Sequence, residues 1–325
     1  MRIGVTVPPQ ATLEETLAGF ELAEELGLDS AWFSQPPGGL DALAVLALAA
    51  GRTRSVRLGT AAIPTFPAHP LVTARAARTA DAAAPGRVVL GVSSGHRAWI
   101  EQEYGLRFER PVRQVTAWVR TVRRLLRGEA LTAADNAFGL SVAGADTAAE
   151  IPVVVAATGP RLLEAAAGVA DGVLTWMSDE TYLGEIVLPA VTRGAARAER
   201  PAPPVAAGVL LCVCDDAERA RAELRPRLGG LGSYDSYRAV LGYRAPAPRE
   251  PADVAIVGTD TDVRLAFGRL AAEGVSEVVA VVLPDPADPP GSVQRARRLL
   301  AALAAERGPR SPAAASRRGP EQAHG

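Results

Sequence analysis

Apolar and polar positions along the chain switch between two periods in a regular order. Arg2–Val7 is a short apolar run of strand length. Thr12–Leu26 follows with Leu13, Leu17, Phe20, Ala23 and Leu26 at helical spacing, and Gly27 stops it. The same reading predicts a strand over Asp29–Ser34, a helix over Leu40–Ala50, a strand over Val56–Ile63, a helix over Pro70–Ala84 and a strand over Arg87–Ser93. Arg110–Arg127 predicts a long helix with a basic face, and Gly128–Ala149 an irregular hairpin or lid around Asp135–Gly139. Ile151–Ala157 is a fifth strand, Pro160–Ala170 a helix, Gly172–Trp176 a sixth strand, Thr181–Ala198 a helix and Val205–Val213 a seventh strand. Asp216–Leu228 is helical, and Gly229–Ala255 is a second excursion holding a short helix (Tyr234–Leu241) and a Pro-rich connection. Asp260–Glu273 is a helix, Glu277–Leu283 an eighth strand and Ser292–Arg307 a last helix.

Short apolar strands alternating with helices imply parallel strands joined by right-handed crossovers. Eight such units are the count of a closed (β/α)8 TIM barrel, whereas a doubly wound open sheet rarely needs eight. The expectation is one barrel domain over 1–307 with two inserted lid segments, and a disordered tail over 308–325. Function is then expected at the C-terminal ends of the strands.

Composition narrows the chemistry. The 35 basic and 36 acidic residues leave a net charge of −1, which argues against a nucleic-acid or membrane-surface partner. Every basic residue is Arg, so enzymes that need a lysine amine, Schiff-base and Walker-type alike, are excluded. His69, His96 and His324 are too few for a His-rich metal centre, and no metal is expected. Cys212 and Cys214 would share one face of a strand, too close for an ordinary disulfide. They read as buried free thiols, which fits a cytoplasmic setting, although a metal or redox pair is the alternative. The opening MRIGVTVPP lacks the charged-then-apolar plan of a signal peptide, and charges interrupt the helices before a membrane-spanning length.

The strand ends carry few ionisable groups: Pro8-Pro9-Gln10, Ser34-Gln35, Ala61-Ala62-Ile63-Pro64-Thr65, Ser93-Ser94-Gly95-His96, Thr158-Gly159-Pro160-Arg161, Met177-Ser178 and Cys214-Asp215. No carboxylate pair suits glycosidase chemistry. Such a mouth suits an enzyme whose cofactor performs the difficult step. Thr158 can cap the following helix, Gly159 permits close approach and Pro160 fits a first helical turn. Free amides there, with Arg161, would attract a phosphate, unless this is simply a well-made turn. His96 is the histidine located where proton transfer is expected, or else it stacks structurally. His69 reads as a capping or packing residue. GGLGSY at Gly229–Tyr234 reads as a loop, and Tyr234, Tyr237 and Tyr243 line a pocket or an interface, or else pack in the core. Trp32 and Trp176 either wall a planar cofactor or fill the barrel.

LGTAAIPTFPAHP, GRVVLGVSSGH, ERPVRQVTAWVRTVRRLLRGE, PVVVAATGPRLLEAAAGVADGVLTWM, PADVAIVG and EGVSEVVAVVLP together resemble the bacterial-luciferase-like superfamily, and within it the actinobacterial branch of coenzyme F420-dependent oxidoreductases. The resemblance runs to about residue 305. It implies hydride transfer between C5 of the deazaflavin and a small organic substrate, with reduction of an activated C=C or C=N bond as the favoured reaction and a homodimer as the assembly. By matching position, Ala61-Ala62 would support the ring through a non-proline cis peptide, with Ser34 and Thr65 nearby. Ser94, Gly95 and His96 would border the ring and its ribityl chain. Ala157, Thr158, Gly159, Pro160 and Arg161 would receive the phosphate, and Trp176 and Met177 would close the pocket. His96 would handle the proton. Relatives often carry a histidine or acid after the second strand, where this chain has Gln35-Pro36-Pro37. Sugar-phosphate-oxidising relatives have a glutamate at the place of His96, and their phosphate-binding lysines have no counterpart. The alternatives are a reduced-flavin (FMN) monooxygenase on the same fold and a non-catalytic cofactor-binding barrel.

Overall fold

The computed structural model describes residues 1–145, 148–245 and 249–306. Its strands are β1 (Arg2–Val7), β2 (Ser30–Phe33), β3 (Arg57–Thr60), β4 (Ile63–Pro64), β5 (Val88–Ser93), β6 (Val153–Ala156), β7 (Gly172–Trp176), β8 (Val205–Val213), β9 (Ile256–Gly258) and β10 (Glu277–Val282). They pair in parallel in the order β10-β1-β2-β3-β5-β6-β7-β8, and β8 pairs back onto β10. Eight parallel strands therefore close on themselves, and the expected (β/α)8 barrel is the fold. β4 pairs with β5 above β3, and β9 lies beside the end of β8.

The helices are α1 (Leu13–Glu25), α2 (Ala42–Ala50), α3 (Pro70–Ala83), α4 (Pro111–Leu126), α5 (Pro160–Ala167), α6 (Glu180–Tyr182), α7 (Leu188–Arg197), α8 (Ala217–Gly232), α9 (Asp235–Leu241), α10 (Asp260–Glu273) and α11 (Pro289–Ala305). Most long ones begin at a side-chain cap that satisfies a free amide. Thr12 and Thr259 form capping boxes with Glu15 and Asp262, while Asp41, Asp216 and Asp288 each accept from the helix they precede.

The barrel interior is filled by Trp32, Val89, Leu174, Ala206 and Val279. Trp32 needs glycine beside it, since a Cβ on Gly59 would lie 2.3 Å from its ring. Trp32 thus fills the barrel, being 2% exposed, and is not a cofactor wall.

Four differences from the sequence reading have local causes. The third strand breaks into β3 and β4 at Ala61-Ala62. The Thr181–Ala198 helix contains a π turn, Leu183–Val187, because Pro189 has no N–H for a regular i→i−4 bond. α8 runs through Gly229–Gly232 instead of yielding to a loop, since Leu224, Leu228 and Leu231 continue one apolar face across the glycines. β9 is an added strand just after the second excursion, missed because it is only three residues long. The first excursion holds the expected hairpin contact, Leu131 opposite Val142. Residues 146–147 of that excursion, 246–248 of the Pro-rich connection, and 307–325 with His324 lie outside the described residues.

Candidate active site

The upper rim is built first by the exit from β3. Thr60 Oγ1 donates to the Gly91 carbonyl at 2.7 Å and accepts from Gly91 N at 2.8 Å, tying β3 to β5 just below the rim. Gly91 is obligatory there, because a Cβ would meet the Thr60 carbonyl oxygen at 1.8 Å. Above it the Ala61–Ala62 peptide is cis, as expected from the resemblance, and both residues are half-buried. Thr65 is fully buried, and its Oγ1 has no hydrogen-bond partner among the described residues. A buried hydroxyl left unpaired is costly, so this atom is available to a ligand. Gly95 takes φ +71°, with Pro64 and Ile100 crowding its Cα, while Ser34 and Ser94 are half-buried at the neighbouring strand ends.

The exit from β6 forms the next part of the rim. Ala157 is buried, Gly159 occupies the N-cap of α5, and Pro160 opens the helix. Thr158 was expected to cap, but its hydroxyl instead donates to the Ser236 carbonyl at 2.8 Å, and its own carbonyl accepts from the Tyr182 hydroxyl at 2.9 Å. α5 is therefore left without a side-chain cap, and a Cβ on Gly159 would meet nothing within 4 Å. Arg161 is exposed on this first turn and makes no ion pair among the described residues. An uncapped first turn, an open approach and an uncommitted guanidinium suit an anionic group.

His96 lies between these features. Its ring stacks on Tyr234, with centroids 3.9 Å apart and planes at 19°, and meets Trp99 and Tyr237 edge-on at 4.6 and 5.1 Å. Nδ1 lies 3.0 Å from Ser236 Oγ and Nε2 3.3 Å from the Tyr237 hydroxyl. Burial without a carboxylate partner pushes its pKa down to about 4. The ring is thus neutral near pH 7, with one N–H and one lone pair, and is not an imidazolium acid. Tyr234 and Tyr237 were legible only as part of a tyrosine cluster with Tyr243, and Ser236 not at all; what brings them to His96 is the docking of α9 across the rim.

That docking carries a pH dependence. The folded pKa lies below the ordinary 6.5, so docking is fully stabilised above the ordinary value and weakens as pH falls toward 4. The groups facing the ring are Tyr234, Tyr237, Ser236 and Trp99, and the adjacent Arg97 is paired with Glu101 at 2.6 Å. Hydrogen-exchange protection of the α9 amides should drop between pH 7 and pH 5. In His96→Asn the drop should vanish, and a drop of equal size there would refute the assignment.

The remaining candidates separate. Trp176 is half-buried at the mouth, packed over Gly208, and Met177 is buried beside it with Leu210, Cys212 and Cys214. Both cysteines are buried free thiols, and burial pushes Cys212 up to about 12, so the pair is inert packing. Gln35 accepts from Ala42 N at 3.0 Å and serves the start of α2. His69 sits at the N-cap position of α3 with an exposed ring and no cap bond, so it neither caps nor packs. Among the described residues no group of three or more His, Cys, Asp or Glu is placed for a metal ion, and no helix is long and apolar enough to cross a membrane.

Comparison with known proteins places this geometry. The model of the luciferase-like monooxygenase family matches residues 1–255. The 5,10-methylenetetrahydromethanopterin reductase of Methanolobus tindarius is 26% identical over 224 residues, covering 69% of this chain and 68% of the relative. An F420-dependent glucose-6-phosphate dehydrogenase of Beutenbergia cavernae is 35% identical over 224 residues, covering 64% of this chain; the match spans 66% of that relative, just under two thirds of its length. The structure of coenzyme F420-dependent tetrahydromethanopterin reductase from Methanopyrus kandleri superposes with a TM-score of 0.72 over 92% of this chain and 97% of that one, at 21% identity, a likeness of fold. With more than three quarters of its length matched by one family model and the same barrel beneath it, the chain belongs to the luciferase-like monooxygenase family.

Proposed function

We propose that this chain is a coenzyme F420-dependent oxidoreductase that reduces an activated C=C or C=N bond of a small organic substrate. The observation that carries the reading is the pairing of an uncapped α5 N-terminus, flanked by the uncommitted Arg161, with the unpaired Thr65 hydroxyl at the cis exit of β3. The first fits a phosphate and the second a polar ring edge. Relatives named as F420-dependent enzymes support the choice of cofactor.

When bound, the deazaflavin supplies the carbon that gives or takes hydride; the chain supplies the rest. Ala61 and Ala62 back a flat ring without competing polar groups. Ser34 and Thr65 offer hydroxyls, and Ser94 and Gly95 let the ribityl chain run close to the backbone. Ala157, Thr158, Gly159 and Pro160 frame the phosphate beside Arg161, and Trp176 and Met177 close the apolar side. Double-bond reduction consumes one proton besides the hydride, and His96 relays it: the neutral ring passes a proton toward the substrate through the hydroxyl at one nitrogen as it takes one up at the other, ending neutral, or the reverse in oxidation. The chain works as a cytoplasmic homodimer in this reading, for which sedimentation of the purified protein is the direct test.

Titration of the protein with F420 and FMN side by side tests the proposal. Saturable change of F420 fluorescence with indifference to FMN is expected. The reverse would make the chain a reduced-flavin monooxygenase, and F420 binding without oxidation of the reduced form by any trial enone or imine would leave a binding barrel. Arg161→Ala should weaken F420 about tenfold, the loss of one charge-assisted contact at an exposed site.

A further inference from the structure

The two nitrogens of His96 are both engaged by one short segment from a distant part of the chain. We propose that Ser236 and Tyr237 of α9 are positioning residues for His96, whose hydroxyls clamp both ring nitrogens so that docking of α9 fixes the imidazole as its Nδ1–H tautomer at the rim. The proposal rests on the proton-handling role given to His96 above.

A neutral imidazole has one N–H and one lone pair, so its two partners must play opposite parts. Tyr237 is packed among Trp176, Met177, Leu210 and Cys212, and that burial pushes its phenol pKa up, keeping the hydroxyl protonated. A phenol is a better donor and a poorer acceptor than an alkyl hydroxyl. Tyr237 Oη therefore donates to Nε2 across 3.3 Å, and Nδ1–H donates to Ser236 Oγ across 3.0 Å. This is the reverse of the Nε2–H form that a free imidazole side chain prefers, so the protein selects it. Stacking by Tyr234 and edge contact from Trp99 fix the ring plane.

The clamp does not depend on His96 alone for its position. Thr158 Oγ1 donates to the Ser236 carbonyl, and Arg249 reaches the carbonyls of Val240, Leu241 and Tyr243 while pairing with Asp179. Tyr243 in turn donates to Glu185 at 2.7 Å. α9 is thus moored to the β6 and β7 exits, and losing one hydroxyl from the clamp should leave it docked.

The test is long-range 1H–15N correlation on the full chain labelled at histidine. The sequence contains three histidines, and His96→Asn identifies the resonances of interest. The wild-type ring should show a protonated Nδ1 and an unprotonated Nε2. Tyr237→Phe should convert it largely to the Nε2–H form, Ser236→Ala should give a mixture, and Ser236→Thr should restore the wild-type pattern. Turnover should fall about tenfold in Tyr237→Phe, the usual scale for a lost orienting contact, through kcat with KM little changed. An Nε2–H wild-type ring, or nitrogen shifts unchanged in both hydroxyl-deleting variants, would overturn the proposal. The spectra need no cofactor, so failure of F420 to bind would sink the oxidoreductase reading while leaving this result to stand or fall alone.

Discussion

Glu277→Ala should destabilise the folded chain by about 3–5 kcal/mol. Glu277 opens β10 inside the closed lower end of the barrel and is 1% exposed. Its carboxylate accepts from Arg2 Nε at 2.9 Å, Arg57 Nη2 at 2.8 Å and Trp32 Nε1 at 3.2 Å, and also from Ser30 Oγ. Each partner begins or lies within a neighbouring strand, so one acid joins β10, β1, β2 and β3. The site already sits near its limit: burial pushes the Arg57 guanidinium pKa down, and Arg57 Nε has no partner among the described residues. Removing the acid would leave two partly exposed cations side by side with only Asp29 to offset them, and the buried Trp32 and Ser30 donors without their acceptor. Urea unfolding of the full chain measures the loss. Glu277→Gln, which keeps an acceptor but no charge, should fall between, and a loss below about 1 kcal/mol in the alanine variant would show that the ions relax to water.

The barrel was legible because its strands are short apolar runs at even spacing, a property that survives without knowledge of any contact. The same holds for the Gly159-Pro160 turn, where both residues have a backbone reason to be there, whereas the cap read from Thr158 does not form, because its hydroxyl is taken by Ser236. The cis peptide at Ala61–Ala62 could not be read from its two alanines; only the resemblance of the surrounding LGTAAIPTFPAHP segment pointed to it. Contacts that join distant segments left fainter traces. Ser236 meets His96 across 140 residues and Thr158 across 78, and nothing within DSYRAVL announces either. The lower cluster did leave a mark that passed unread: Arg2, Ser30, Arg57 and Glu277 each open an apolar strand with a polar residue. In a parallel barrel the opening residues lie at one end, so four such openings predict a polar floor.

His96→Ala should lower turnover about 100-fold while leaving F420 affinity nearly unchanged, a step of about 2.7 kcal/mol in the barrier and within the range of positioned proton transfer. Two effects are mixed in that number. Alanine removes the proton-exchanging group, and it also removes the surface on which Tyr234 stacks and the atoms that Ser236 and Tyr237 hold. His96→Asn separates them, because an amide can still hydrogen-bond the α9 hydroxyls but cannot exchange a proton near pH 7. If proton transfer is the larger part, the two variants should be almost equally slow, and the pH profile of kcat should lose the limb that follows the imidazole in the bound complex. If α9 docking is the larger part, asparagine should recover most of the rate and the profile should survive. The neutral state of the buried ring favours the first outcome: a group kept neutral to about pH 4 is a poor latch by charge, yet with a hydroxyl on each nitrogen it can relay a proton across the whole physiological range. Equal rates in wild type and His96→Ala would remove His96 from the reaction and leave it as packing beneath α9.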